Sequence, residues 1–245
     1  ANYSVDCPLG APVTGTVGYA VDGSVATFTP AAVLPASTTC RATVTNGVKD
    51  VAGNNMLVNY TWDFRTGLTP DATAPTVTLT DPLNNATGVS INAMVTAKFS
   101  EPMDPLSITS PLAFQVACPV GTPVTGIVSY AVSGNIATFN ATGPLPVNQV
   151  CRATVSNTVK DIAGNLMVNP YVWTFTTSAA LDTTPPLVIT RFPANAATNV
   201  PVNTTVNATF NEAMDPLTMV TANFALAQGV TNIPGLVQYD LVSRI

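Results

Sequence analysis

Apolar and polar residues alternate over short stretches of this chain. In Val95-Thr-Ala-Lys-Phe99 the residues Val95, Ala97 and Phe99 fall on one face and Thr96 and Lys98 on the other, the period of two that a half-buried strand requires. Tyr171-Val-Trp-Thr-Phe-Thr-Thr177 alternates likewise and places Trp173 and Phe175 inward. Earlier in the chain Trp62 and Phe64 are flanked by Thr61, Asp63 and Arg65 in the same rhythm. Further strand-like runs cover Thr76 to Thr80, Leu112 to Ala117, Gly126 to Val132, Ile136 to Phe139 and Cys151 to Ser156, punctuated by Gly, Pro and Asn. No segment sustains a 3.6 period, so helix is restricted to short turns. The best candidate is Asp104-Pro-Leu-Ser, where Asp caps and Pro takes the first helical position.

The runs recur. Cys7, Cys40, Trp62 and Asp71 return 111 residues later as Cys118, Cys151, Trp173 and Asp182, and residues 1–67 match residues 112–178 at 35 of 67 positions without a gap. Cys40-Arg-Ala-Thr-Val, Val48-Lys-Asp and Ala52-Gly-Asn reappear as Cys151-Arg-Ala-Thr-Val, Val159-Lys-Asp and Ala163-Gly-Asn. A third copy opens at Asp182-Thr-Thr-Pro-Pro and continues with Phe210-Asn-Glu-Ala-Met-Asp-Pro-Leu against Phe99-Ser-Glu-Pro-Met-Asp-Pro-Leu. Self-similarity at a fixed period is the mark of a repeat architecture. Three segments follow: 1–70 as the C-terminal part of repeat 1, 71–181 as a complete repeat 2, and 182–245 as the N-terminal part of repeat 3. About seven short strands in a copy of this size read as an all-β sandwich. Short Pro-bearing linkers, Thr69 to Pro75 and Asp182 to Pro186, read as semi-rigid joints, so the copies form a rod of tandem sandwiches.

Composition agrees with strands that carry uncharged polar faces. Only 9% of residues are charged, the net charge is -5, and the eight basic residues stand singly, which leaves no phosphate-binding stripe and sets nucleic acid aside as a partner. No apolar run approaches the ~20 residues needed to span a bilayer, so no membrane insertion is expected in this segment. Ala1 to Asp6 lack the regions of a signal peptide, so the chain reads as beginning after processing or inside a longer protein.

In its opening Asp-x-Thr-x-Pro, its Phe99-Ser-Glu-Pro-Met-Asp-Pro block, its Val159-Lys-Asp-Ile-Ala-Gly-Asn turn and its closing Trp173-Thr-Phe-Thr-Thr strand, the sequence resembles the bacterial Ig-like domains of the SbsA type, also called Big_5. The resemblance runs over essentially the whole chain. It implies immunoglobulin-like sandwiches of the kind found in surface-layer proteins, adhesins and the stalks of ice-binding proteins, a bacterial extracellular or cell-surface location, and no catalytic residues.

Four cysteines form two pairs, each separated by 33 residues, at the same place in two copies. That count favours a disulfide within each domain, Cys7 with Cys40 and Cys118 with Cys151. A metal site is the rival reading, but with no His and two Cys per copy it lacks soft ligands for zinc. Gln228 stands near where the third copy would have its first Cys, so the bridge is optional to the fold.

Catalysis has little to work with, because His, the commonest group titrating near neutrality, is absent. The recurring acids are Glu101 with Asp104 and Glu212 with Asp215. Repetition favours a fold-defining role for them over a glycosidase-like pair. Calcium is the more serious alternative, with Glu101, Asp104, Asp161 and Asp182 as weak candidate ligands, although no Asp-x-Asp-x-Asp spacing occurs. No other cofactor is indicated. Sequons at Asn59, Asn85, Asn140, Asn203 and Asn207 are expected from composition alone.

The functional expectation is an extracellular spacer, filament or surface-layer component, with an adhesin or binding module for carbohydrate, protein or ice as the alternative. Its partners are neighbouring repeats or identical subunits in a fibre. Simple complementation between molecules fits the length poorly. Exact tiling needs two repeats, or 222 residues, and the 245 present place the same 23-residue segment at both ends. A window on a longer array fits that arithmetic better.

Overall fold

A computed structural model describes residues 2–20, 25–240 and 243–245. The chain is nearly all strand and divides into two compact units, residues 1–73 and 74–245. Unit 1 holds β1 (Tyr3–Asp6), β2 (Gly15–Ala20), β3 (Val25–Pro30), β4 (Thr39–Val44) and β5 (Tyr60–Arg65). Strands β1, β4 and β5 form one antiparallel sheet in that order, and β2 pairs with β3 as a hairpin.

Unit 2 begins with β6 (Val77–Asp81), β7 (Ala86–Val89), β8 (Val95–Phe99) and the single helical turn α1 (Pro105–Ile108). It continues with β9 (Phe114–Ala117), β10 (Gly126–Ala131), β11 (Ile136–Ala141), β12 (Val150–Val155) and β13 (Tyr171–Thr177). These strands make two four-stranded sheets, β10-β11-β8-β6 and β7-β13-β12-β9, packed face to face as a sandwich. The remaining residues contribute β14 (Val188–Phe192), β15 (Asn207–Phe210), a 3-10 turn at Pro216–Thr218, β16 (Leu226–Gln228) and β17 (Thr231–Ile233). β14 pairs with β15, and β16 with β17.

The core between the two sheets of repeat 2 follows the alternation. Val95, Ala97 and Phe99 from β8, Phe114 and Val116 from β9, Ala153 and Val155 from β12, and Trp173 and Phe175 from β13 are all buried in one cluster. Phe114 packs against both Phe139 and Trp173, with ring centroids 6.0 and 5.7 Å apart. Gly126 makes room for the Phe139 ring, since a Cβ there would lie 2.4 Å from its Cζ. Gly15 and Phe28 repeat the device in unit 1, with a Cβ of Gly15 lying 2.6 Å from Phe28 Cζ.

Three sequence expectations change. Eight strands, not seven, build repeat 2. The extra one, β7, has no alternation, holds Gly88 at φ +69, and is recruited by irregular parallel pairing to β13. Thr96, read as solvent-facing, is buried, as is its cross-strand partner Thr138. The same outer face carries Leu79 and Ile136, which pack against Phe210, Met214, Met219 and Tyr239 of the third repeat. Trp62, read as inward, is 38% exposed, with Tyr3 and Tyr60 as its ring neighbours at 6.0 and 5.8 Å.

Candidate functional site

Glu101, Asp104, Asp161 and Asp182 all lie in unit 2, where Asp161 sits in a turn closed by its own carboxylate. Lys160-Asp-Ile-Ala-Gly-Asn165 folds back on itself with Gly164 at φ +97, a conformation that Gly adopts freely. The Asp161 carboxylate is buried and accepts hydrogen bonds from Ala163 N at 2.8 Å, Asn165 N at 2.9 Å and Asn165 Nδ2 at 2.8 Å. Asp50 holds the same set in unit 1, from Ala52 N, Asn54 N and Asn54 Nδ2, and these bonds hold its carboxyl below the usual range. Asp161 is therefore committed first to its own backbone.

The structure brings two of the four calcium candidates together. The carboxylates of Glu101 and Asp161 lie within 4.8 Å of one another, where the chain after β8 crosses the Asp161 turn through a bridge between Met103 and Asp161. Asp104 instead caps α1 by accepting from Leu106 N at 3.0 Å and meets Lys160 Nζ at 3.4 Å. Asp182 belongs to the third repeat, where its carboxylate accepts from Thr184 N at 2.9 Å and faces Glu212.

Around Asp182 lies a crevice of about 560 Å³, lined on one side by Asp81, Ser90, Asn92 and Thr96 and on the other by Glu212, Asp215 and Arg244. Repeat 2 grips the backbone of Asp182 there. Its N–H donates to Ser90 Oγ at 2.7 Å and Asn92 Oδ1 at 2.9 Å, and its carbonyl accepts from Asn92 Nδ2 at 2.9 Å. Burial raises the Glu212 carboxyl, with the neighbouring Asp182 pushing in the same direction. The Thr184 backbone N–H is the largest influence holding Asp182 down. Burial also raises Asp81, against the opposing charge of Arg244.

The Ser90 and Asn92 clamp is absent from the sequence reading. Asn92 recurs as Asn203, but position 201, the counterpart of Ser90, is Pro, so repetition signals only half of the clamp. A second missed contact does recur: Met103 N donates to Tyr130 Oη at 2.8 Å, and Met214 N donates to Tyr239 Oη at 2.9 Å. Burial pushes the Tyr130 phenol up to about 12. Its visible signal is the shared Met and Tyr at matching places in two copies.

The cysteines are bonded as Cys7 to Cys40 and Cys118 to Cys151, each with Cα atoms 4.3 Å apart. Each bridge ties the strand that opens the closing sheet to that sheet's central strand, β4 or β12.

The family model for the bacterial Ig-like domain, Big_5, matches residues 2–66, 71–177 and 182–242. The chain belongs to the bacterial Ig-like domain family. Its sheets are thus tandem Ig-like sandwiches. No curated protein matches it. Among solved structures, PcoC, a methionine-rich copper resistance protein from Escherichia coli, is similar at 14% identity and a TM-score of 0.35, over 43% of this chain and 100% of PcoC. CopC from Methylosinus trichosporium OB3b gives 14% and 0.34, over 42% of this chain and 93% of CopC. Domains 1–6 of the surface layer protein SbsC give 20% and 0.35, over 49% of this chain and 15% of that structure.

Proposed function

We propose that this bacterial Ig-like chain is a structural module of an exported protein, a spacer or filament or surface-layer component in which each repeat bears on its neighbours. One observation carries the reading: the polar groups that recur between copies serve the fold. Asp50 and Asp161 close the same turn, Asp104 and Asp215 cap the same helical turn, and Tyr130 and Tyr239 hold the same Met backbone. A recurring binding or catalytic centre would leave side chains aimed outward, whereas these are spent on backbone donors. The two disulfides support an oxidising, extracellular or cell-surface location.

The joint between repeats 2 and 3 supports the mechanical side of the proposal. Ser90 and Asn92 fix the linker at Asp182, Lys98 Nζ meets Asp240 at 3.7 Å, and Ile136 and Tyr239 are buried against each other. Small-angle scattering of the chain is expected to give the profile of an extended string of domains. A compact globule would overturn the proposal.

A further inference from the structure

We propose that Asn46 is a site of self-modification, at which the backbone nitrogen of Gly47 displaces the side-chain amide and converts the residue to aspartate and isoaspartate. The inference goes beyond the spacer reading and rests on one turn that the chain builds twice, with a different residue after the Asn each time.

The turn follows β4 in unit 1 and β12 in repeat 2. The chain reverses over Thr45-Asn-Gly-Val48, with Val48 N donating to Thr45 O at 3.2 Å, and over Ser156-Asn-Thr-Val159, with Val159 N donating to Ser156 O at 3.5 Å. Asn46 and Asn157 are both exposed, and among the described residues neither amide group makes a hydrogen bond. Repeat 2 is a complete sandwich, so this exposure belongs to the turn itself. Asn46-Gly47 is the one Asn-Gly step in the sequence.

The chemistry needs an uncommitted carboxamide, a following backbone N–H that can lose its proton, and a chain that can swing that nitrogen onto the side-chain carbon. Gly47 supplies the last two. It has no Cβ to obstruct the approach and rotates over a wider range than any other residue. Its N–H meets Thr45 Oγ1 at 3.4 Å, near the limit of a hydrogen bond, whereas the Thr158 N–H is held by Ser156 Oγ at 3.1 Å beside a β-branched side chain. Hydroxide takes the Gly47 proton, the nitrogen attacks Asn46 Cγ, and the Cγ–Nδ2 bond breaks. Ammonia leaves with a proton from water, and a succinimide ring closes. Water then opens the ring. Cleavage at Cγ gives aspartate, and cleavage at the main-chain carbonyl carbon gives isoaspartate, with the chain routed through Cβ and Cγ. Water is the only co-reactant, and nothing is oxidised or reduced.

The surroundings decide what the change does. Asn46 N donates to Asn59 Oδ1 at 2.8 Å, and Asn46 O accepts from Asn55 Nδ2 at 3.0 Å. These bonds fasten the start of the connection from β4 to β5. In isoaspartate the former main-chain carbonyl becomes a carboxylate and the turn gains a backbone atom, which breaks the closure of Val48 N on Thr45 O. The counterparts of Asn55 and Asn59 in repeat 2 are Leu166 and Pro170, so repeat 2 has neither this fastening nor the reactive step. Each conversion also adds a negative charge to unit 1.

The test incubates the folded full chain at mildly alkaline pH and follows two tryptic peptides, Ala42–Lys49 and its counterpart Ala153–Lys160. Ala42–Lys49 is expected to change in mass by the replacement of NH with O and to split into two isomers. It should do so at least about tenfold faster than Ala153–Lys160, the ratio that a barrier lower by about 1.4 kcal/mol gives. In heavy-oxygen water the product carries a solvent oxygen, and the rate rises with pH because the Gly47 nitrogen must lose its proton. Gly47→Ala is expected to slow the first peptide to the pace of the second. Thr158→Gly, at an exposed turn, is expected to raise the second to the pace of the first, with an unchanged circular dichroism spectrum showing that the variant is folded. Equal rates for the two wild-type peptides, conversion of Asn46 only in the denatured chain, or a folded Thr158→Gly variant whose second peptide stays unconverted would overturn the proposal. Each of these results leaves the spacer reading to its own scattering test.

Discussion

Asp161 and Asp50 perform one task in two settings, which makes them a built-in comparison. Asp161 is buried and Asp50 exposed, yet each accepts two backbone N–H groups and one Asn side chain. Losing a carboxylate in a buried site strands its donors, at about 1–3 kcal/mol for each group left unpaired, whereas exposed donors turn to water. Asp161→Ala is therefore expected to lower the stability of repeat 2 by several-fold more than Asp50→Ala lowers that of unit 1, as read by chemical denaturation. The turn itself was legible, because Asp, Gly and Asn at fixed spacing signal it. The burial of one copy was not, since it depends on the chain after β8 crossing over it. Tyr130 supplies a pH signature. Its folded value of about 12 lies above the ordinary 10, so its contribution is complete below pH 10 and is lost as pH rises through 12. The fall in stability between pH 10 and 12, read at Trp173 in denaturant, is expected to be shallower in Tyr130→Phe, which at neutral pH costs about 1–3 kcal/mol for the stranded Met103 N–H. Thr138 works in the opposite sense. Its buried hydroxyl has no hydrogen-bond partner among the described residues, so Thr138→Val is expected to raise the melting temperature.

At the scale of elements, alternation located both β13, which keeps one drier and one wetter face, and β8, which is buried on both faces except at Lys98. Helix α1 was legible in Asp104-Pro because capping is a local signal. β7 was hidden because Ala86 to Val89 owes its strand to pairing with β13 and not to any pattern of its own. Thr96 was misplaced for a related reason. A polar residue on an alternating strand looks solvent-facing until another repeat is laid over it. The disulfides connect strands already paired in one sheet, so their contribution resides mainly in the unfolded chain. Closing a loop of 33 residues is worth on the order of 3 to 4 kcal/mol in the loop-entropy model. The double variant Cys118→Ser with Cys151→Ser is expected to lose about that much in denaturant titration of repeat 2 while retaining its circular dichroism spectrum.

Across the whole molecule, stability is unevenly shared. Among the described residues, repeat 2 buries a single cluster of twenty-one core residues that includes Trp173, whereas the core cluster of unit 1 has four buried members, two of them the bonded cysteines. Buried apolar area is the dominant stabilising term in a domain, so the two units are expected to unfold in separate transitions. The chain has two tryptophans, one in each unit, and they report separately. In Trp62→Phe the remaining Trp173 emission is expected to follow the later transition alone, and in Trp173→Phe the Trp62 emission follows the earlier one. Reduction sharpens the contrast. With so few buried residues besides the bridge, unit 1 depends on Cys7–Cys40 for its sheet, so dithiothreitol is expected to abolish the early transition while repeat 2 merely melts at a lower temperature. Coincident transitions at both tryptophans would mean that the units unfold as one body, and the separate ranking of their stabilities would fall with that result.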